Sequence, residues 1–404
     1  MENTISTTKE KKLYSSAFIL YLNFFIHGIG VSILGQQVVK MSLAAQWGTT
    51  DDAVTIIAAA LGLGRLITLP FSGPLSDKLG RRASTLIGIS SYIIFFLGLA
   101  LSPNIKVAYA AAILGGVANS FLDTGVIPAC VEIFEPKSGL ATMLTKLFIS
   151  ISQLLLPITI GYLTLNKIPY SSLMYGCAIA LFVIGVLVTR IKLPNSNNSG
   201  SAAKTSLIEN IKNTKFTKES LALIAIGFTC TATFQLWLNC AQKFGTEVAG
   251  MQNVGQMQIW YSVGTLVAIG LTSVLVNKIK EVRFLFVYPL ISLCMLVIVL
   301  LVKTPAICII GSFVIGYAAS GGVLQLATAT VNNLFPNIKG TITSIIMIAS
   351  SLSNYTILTL AGKIGETSGP QSVMLLNIVI TAIGVLLALL VNLRYSKLEN
   401  SVKM

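Results

Sequence analysis

Along this chain, apolar runs long enough to cross a bilayer alternate with short polar breaks. Twelve runs occur, over residues 14–38, 52–75, 83–101, 107–131, 140–163, 170–191, 219–242, 254–276, 283–302, 305–331, 341–362 and 371–393. About twenty apolar residues span the hydrocarbon as a helix, at roughly 1.5 Å per residue. Each run is therefore predicted to be a transmembrane α-helix. Irregular segments and open sheets cannot replace it, because unpaired backbone groups are too costly in lipid. One break is long. Residues 193–217 contain Pro194-Asn195-Ser196-Asn197-Asn198-Ser199-Gly200-Ser201, a flexible composition, followed by basic residues that can form a short surface helix. The pattern predicts an all-α membrane protein: a six-helix bundle over 1–192, a linker over 193–217 and a second six-helix bundle over 218–404.

The two halves repeat. Shifted by 201 residues, Leu114–Gly161 overlays Ile315–Gly362 without a gap, matching Gly115 with Gly316, Gly139 with Gly340 and Gly161 with Gly362. Shifted by 200, Leu75-Ser76-Asp77-Lys78-Leu79 overlays Leu275-Val276-Asn277-Lys278-Ile279. Six-helix repeats with an even helix count run parallel, an arrangement that places a solute site at the repeat interface near the midplane.

Charge adds the topology. The formal net charge is +14. With the N-terminus inside, 20 Lys and Arg fall on the cytoplasmic side, six, Lys40 and Lys243 among them, on the outer side, and two, Arg65 and Lys146, within spans. This is the positive-inside asymmetry. It predicts cytoplasmic termini, a multi-pass protein of the cytoplasmic membrane, and contacts with membrane lipids rather than nucleic acid. The first run, about 25 residues from Tyr14, is too long for the core of a cleaved signal peptide. All six cysteines fall within spans and none forms a Cys-x-x-Cys pair, which suits apolar packing.

Between the second and third runs, residues 73–82 read Gly-Pro-Leu-Ser-Asp-Lys-Leu-Gly-Arg-Arg. So charged a stretch cannot lie in hydrocarbon. It is expected to be a tight turn, with Gly73 and Gly80 easing the backbone and Arg81 and Arg82 reaching lipid phosphates. The stretch resembles the loop between the second and third helices of the major facilitator superfamily, G-x-x-x-D-[RK]-x-G-[RK]-[RK]. It matches at Gly73, Asp77, Lys78, Gly80, Arg81 and Arg82. The resemblance implies the major facilitator fold, usually monomeric, moving a small solute without covalent chemistry. It further implies that Asp77 latches a gate at the N-terminus of the eleventh helix, near Gly340 and Thr341. A carboxylate is stabilised there by about 0.3–1 kcal/mol. A loop that merely sets topology is the plainer reading.

Ionisable residues inside spans are costly and point to function. Four occur, all in the first half: His27, Arg65, Asp123 and Lys146. Counting residues places Arg65 and Asp123 at one level, each about 16 Å from the same surface, with His27 and Lys146 within roughly a turn. In the repeat overlay Asp123 meets Leu324 and Lys146 meets Met347, so the charge has no counterpart in the second half. Asp123 is the first candidate for a proton carrier, since burial and neighbouring cations act oppositely on a carboxyl. Its setting, Asn119-Ser120-Phe121-Leu122-Asp123-Thr124-Gly125, is similar to the fourth helix of the fucose-permease-like branch, where an acid takes part in proton coupling. A static pair of Asp123 with Arg65 or Lys146 is the alternative. His27 is either a proton relay or a satisfied interior residue. The excess of cations suits an anionic solute, for example a carboxylate.

Neutral polar residues extend the picture. Gln235, Asn239 and Gln242 form one stripe of the seventh helix, which also carries Trp237. Gln325, Asn354 and Asn377 lie on later helices, and Gln153 matches Asn354 in the overlay. A polar stripe in lipid must face a cavity or another helix. Asn119, Gln153, Gln235, Asn239, Gln325 and Asn354 are the candidate cavity residues, with interhelical hydrogen bonding the plainer role.

Other chemistries lack their residues. No Gly-x-x-x-x-Gly-Lys-[Ser/Thr] loop, no Cys/His cluster and no nucleophile–base arrangement is evident. An enzyme, a metal site and a cofactor are not expected. The drug–proton antiporters of the superfamily show Gly-Pro-x-x-Gly-Gly in the fifth helix. Here Leu156-Pro157-Ile158-Thr159-Ile160-Gly161 keeps only the proline and the last glycine, and the fourth helix lacks their arginine. The expectation is proton-coupled symport of a small polar or anionic organic solute. Proton-coupled efflux of drugs or metabolites is the alternative.

Overall fold

The computed structural model describes residues 2–135, 138–193, 218–276, 278–335 and 339–402, and all regular structure among them is helical. Residues 194–217 of the expected linker and its surface helix, and Asn277 of the repeat overlay, lie outside the described residues.

Helix α1 (Glu2–Ser32) passes through a 3-10 turn into the short α2 (Gln37–Trp47). Helices α3 (Asp51–Leu79), α4 (Arg81–Leu101), α5 (Ile105–Ile133), α6 (Ser138–Leu165) and α7 (Ser171–Arg190) follow. After the linker come α8 (Lys218–Glu247), α9 (Gly255–Leu275), α10 (Glu281–Val302), α11 (Pro305–Ile315) and α12 (Val323–Leu334). The remaining helical stretch, Lys339–Val402, breaks at Gly369 (φ 75°, ψ 175°) into α13, 339–368, and α14, 370–402. The break matters for counting spans. The apolar part, Thr341–Arg394, has 54 residues, about 80 Å as one straight helix against a hydrocarbon core of ~30 Å. It must cross twice. Eleven long apolar stretches among the described residues thereby become twelve spans.

The chain divides by contact into two units. The first comprises the residues up to Ile33 and those from Gly64 through α7. The second comprises Leu34–Leu63 and the residues from α8 onward. In the first unit α4 packs on α5 and α7, and α1 on α6 and α5. Phe24, Tyr92, Phe95 and Phe96 are fully buried there. In the second unit α8 packs against α13 and α14, around cores that include Leu223, Leu285, Val331 and Ile346 and Trp237, Phe244, Leu296 and Ile315. Large apolar side chains such as Phe182 and Leu386 remain exposed. That is the normal outer surface of helices whose solvent is lipid.

Two departures from the hydropathy reading have local causes. Gly73 is not a turn: α3 runs through it to Leu79, and the chain turns at Gly80 alone, whose φ of 88° suits a residue without Cβ. The tenth span is not one continuous helix. A π-helical segment at Gly316–Ser320 and Gly322 (φ 127°) separate α11 from α12. A Cβ at Gly316 would lie 2.0 Å from the Tyr261 carbonyl oxygen, so α9 approaches the break backbone to backbone.

Candidate functional site

Three of the four charged candidates gather through helix packing in the first unit. Arg65 is the middle residue of α3. The neighbouring Gly64 lets α3 approach α5 very closely; a Cβ there would meet the Ile113 carbonyl oxygen at 2.0 Å. Ser120 Oγ of α5 donates to the Arg65 carbonyl at 3.2 Å. One turn further along α5, Asp123 accepts from Arg65 Nη2 at 2.7 Å. The two side chains keep 22% and 24% of their surface accessible. The pair is thus neither sealed in the core nor exposed to bulk water. Lys146 of α6 is exposed and lies within the electrostatic field of Asp123 and Arg65.

His27 of α1 joins this region by another route. Its Nδ1 lies 2.7 Å from the Tyr92 hydroxyl of α4, and that hydroxyl donates to Asn119 Oδ1 of α5. Three helices are tied by one hydroxyl. Tyr92 had no sequence signal beyond its place in an apolar run. Gln153 spends its amide within the first unit as well, donating to Ser32 Oγ at 2.8 Å.

Within the second unit the polar stripe of α8 serves several ends. Asn239 donates to the side-chain oxygen of Gln235 at 3.1 Å. Gln242 Oε1 accepts from the Gln37 backbone at 2.8 Å, and its amide donates to Gln36 at 3.2 Å. Gln325 of α12 is exposed and Asn354 of α13 is half-buried. Among the described residues, Oδ1 of Asn239 and of Asn354 are buried acceptors without a hydrogen-bond partner. Buried acceptors of this kind are uncommon and invite a donor.

The Gly73–Arg82 stretch holds one surprise. Arg81 does not reach outward toward lipid. Its guanidinium, 11% accessible, turns inward to Asp77 at 2.9 Å and Glu132 at 3.7 Å. It also donates to Ser76 Oγ at 3.3 Å and the Thr124 carbonyl at 3.5 Å. It therefore fastens the end of α3 to α5. Arg82 donates to the Ile191 carbonyl beyond α7, and Lys78 is exposed.

Sequence reading missed a further charged cluster, at the start of α3. Lys243 of α8 bonds Asp51 at 2.8 Å and Asp52 at 2.6 Å, with Glu247 at 3.7 Å. Beside it Lys40 is buried, donating to Thr55 Oγ1 at 2.7 Å and to the Asn239 carbonyl. Lys40 and Lys243 had entered the sequence reading only as topology charges. The adjacent acids Asp51 and Asp52, opening an apolar run, were the available clue. No group of three or more His, Cys, Asp or Glu suited to a metal occurs among the described residues.

Comparison with known proteins agrees with this architecture. A family model described as Major Facilitator Superfamily matches residues 13–356. The chain is 33% identical over 392 residues to an uncharacterized MFS-type transporter, YfkL, of Bacillus subtilis, covering 95% of this chain and 97% of that one. It is 32% identical over 409 residues to the inner membrane transport protein YdiN of Escherichia coli, covering 98% and 96%. A crystal structure of a D-xylose–proton symporter superposes with a TM-score of 0.75 at 16% identity, over 94% of this chain and 97% of that one, which concerns the fold alone. Twelve apolar helices, the charged turn at Gly80 and this extended likeness together make the chain a member of the major facilitator superfamily, a membrane transporter rather than an enzyme.

Proposed function

We propose that this transporter carries a small polar or anionic organic solute in symport with protons. It would work as a monomer in the cytoplasmic membrane, with both termini cytoplasmic, by alternating access. The observation that carries the reading is the Arg65–Asp123 pair, 2.7 Å long, within the spans and still partly accessible.

The coupling follows from competition for one guanidinium. While Asp123 is ionised it occupies Arg65. Protonation removes its charge, and Arg65, with Lys146 nearby, is left to take a solute carboxylate. Burial without a partner penalises an ion severely, so proton and anion favour one another's binding. Release of the proton restores the pair and displaces the solute. Reciprocity of this kind is the thermodynamic definition of coupling between two ligands.

The test is the melting temperature of the purified protein against organic acids, sugars and lipophilic cations, at about pH 5.5 and about 7.5, two levels of proton supply. A ligand at ~100 times its Kd stabilises by about 2.7 kcal/mol. Organic acids should stabilise more at the lower pH, and Asp123→Asn should abolish that pH dependence. Proteoliposomes should then take up the acid with protons. Stabilisation by lipophilic cations alone would overturn the reading in favour of efflux.

A further inference from the structure

Tyr92 has no accessible surface. Its ring lies against α1 where Gly30 has no side chain; a Cβ there would meet the ring at 2.9 Å. The neighbouring Phe95 and Phe96 hold the ring from their own side. The hydroxyl is thus delivered to one point, between His27 Nδ1 at 2.7 Å and Asn119 Oδ1.

A phenol has one proton, and an amide oxygen only accepts. The proton of Tyr92 goes to Asn119. What remains for His27 is a lone pair, so Nδ1 must be the nitrogen that carries hydrogen. In a neutral imidazole the other nitrogen, Nε2, is then an acceptor. His27 as a residue is partly accessible, whereas Tyr92 and Asn119 are buried.

The geometry points to Tyr92 as a positioning residue that fixes His27 as the Nδ1–H tautomer and makes Nε2 a hydrogen-bond acceptor. This refines the proton-handling reading above, on which its importance for transport rests. It also closes a route. A proton that reaches Nε2 cannot be handed on through Tyr92, because the chain of hydrogen bonds ends on an amide oxygen. His27 is a terminal acceptor beside Asp123, Arg65 and Lys146, the three charged groups whose fields it feels, and not a link in a wire.

The chain contains a single histidine, so protein labelled with 15N-histidine, freed of any histidine tag, has one pair of ring signals. The wild-type spectrum should show a protonated Nδ1 and an unprotonated Nε2. Asn119→Leu removes the terminal acceptor. Tyr92 should then turn its proton toward Nδ1, inverting the tautomer. Tyr92→Phe keeps the ring and its packing and should remove the preference for Nδ1–H. A purely structural role for Tyr92 would produce neither change. A protonated Nε2 with a bare Nδ1 in the wild type, a doubly protonated ring at neutral pH, or an unchanged tautomer in either variant would overturn the inference. The spectrum needs no solute and no gradient. The expected tautomer without proton flux in liposomes would remove symport and leave Tyr92 in its role, whereas flux with the opposite tautomer would remove only that role.

Discussion

Lys243 of α8 donates to the Asp52 carboxylate in the first turn of α3, at 2.6 Å. Both side chains are largely enclosed, 13% and 11% accessible. The same ammonium bonds Asp51, which also accepts from the Gln37 side chain at 2.6 Å. The helix that presents the acids is capped by Thr50, whose Oγ1 accepts from the Ala53 amide at 3.2 Å. Acids in a first turn are favoured by the helix dipole. Opposite them α13 contributes Gly365, where a Cβ would come within 2.3 Å of the Asp52 side chain. One cation thus holds together the start of α3 and the end of α8 in the second unit.

Removing that cation should be expensive. Exposed pairs contribute about 0–1 kcal/mol, and breaking a buried one costs about 3–5. For this partly enclosed triad, Lys243→Gln is expected to cost about 2 kcal/mol and to lower the melting temperature. Adding Asp52→Asn should restore part of the loss, because one stranded carboxylate is then neutral. A double variant less stable than Lys243→Gln would show that the carboxylates do not repel as argued.

Lys40 gives a pH signature. Burial pushes its ammonium below the ordinary lysine value of 10.5, so the unfolded chain binds more protons there than the folded one. Stability from this group therefore grows as pH rises toward about 10.5 and is lost as pH falls through the lower folded value. Melting curves of wild type and Lys40→Met should show the wild type gaining on the variant as the medium is made alkaline. A constant gap across that range would count against the burial argument.

Gly64 should be intolerant of size. A side chain at this point must push α5 away from α3 and with it Asp123 from Arg65. Gly64→Val is expected to cost about 1–3 kcal/mol, the usual range for overpacking, and to reduce solute binding and transport. Gly73→Ala, at a position with open space around it, is the control. Equal behaviour of the two in a thermal melt would contradict the close-approach argument.

Asp77→Asn separates transport from stability. The carboxylate is 47% accessible and its partner Arg81 lies four residues on, across the turn at Gly80, so the pair is worth at most about 1 kcal/mol. Expression and melting temperature should barely move, while solute flux in liposomes should fall if the residue serves a gate. Full flux in this variant would assign the acid to topology alone.

Much of the architecture was legible because hydrocarbon leaves the backbone few choices. Every unpaired amide is penalised, so an apolar run of sufficient length must be a helix, and helical rise converts residue number into depth. That arithmetic put Arg65 and Asp123 at one level, and the structure joins them. It could not say that α3 continues through Gly73, because glycine permits a turn without requiring one. Nor could it find the break at Gly316–Ser320, inside a span whose hydropathy is unbroken.

The charges show the same division more sharply. Composition and position determined by themselves that Lys40 and Lys243 lie near one surface and Arg65 and Asp123 deep in their helices. Only the tertiary structure decided that Lys243 meets Asp51 and Asp52, nearly two hundred residues away, that Lys40 is buried beside them, that Arg81 turns inward to Glu132, and that Tyr92 stands between His27 and Asn119. The physical reason is rotational. Sequence fixes a residue's height along its helix, but the direction it faces depends on how each helix is turned about its axis. That turn is chosen by the fit of side chains and glycine gaps on the neighbouring helices.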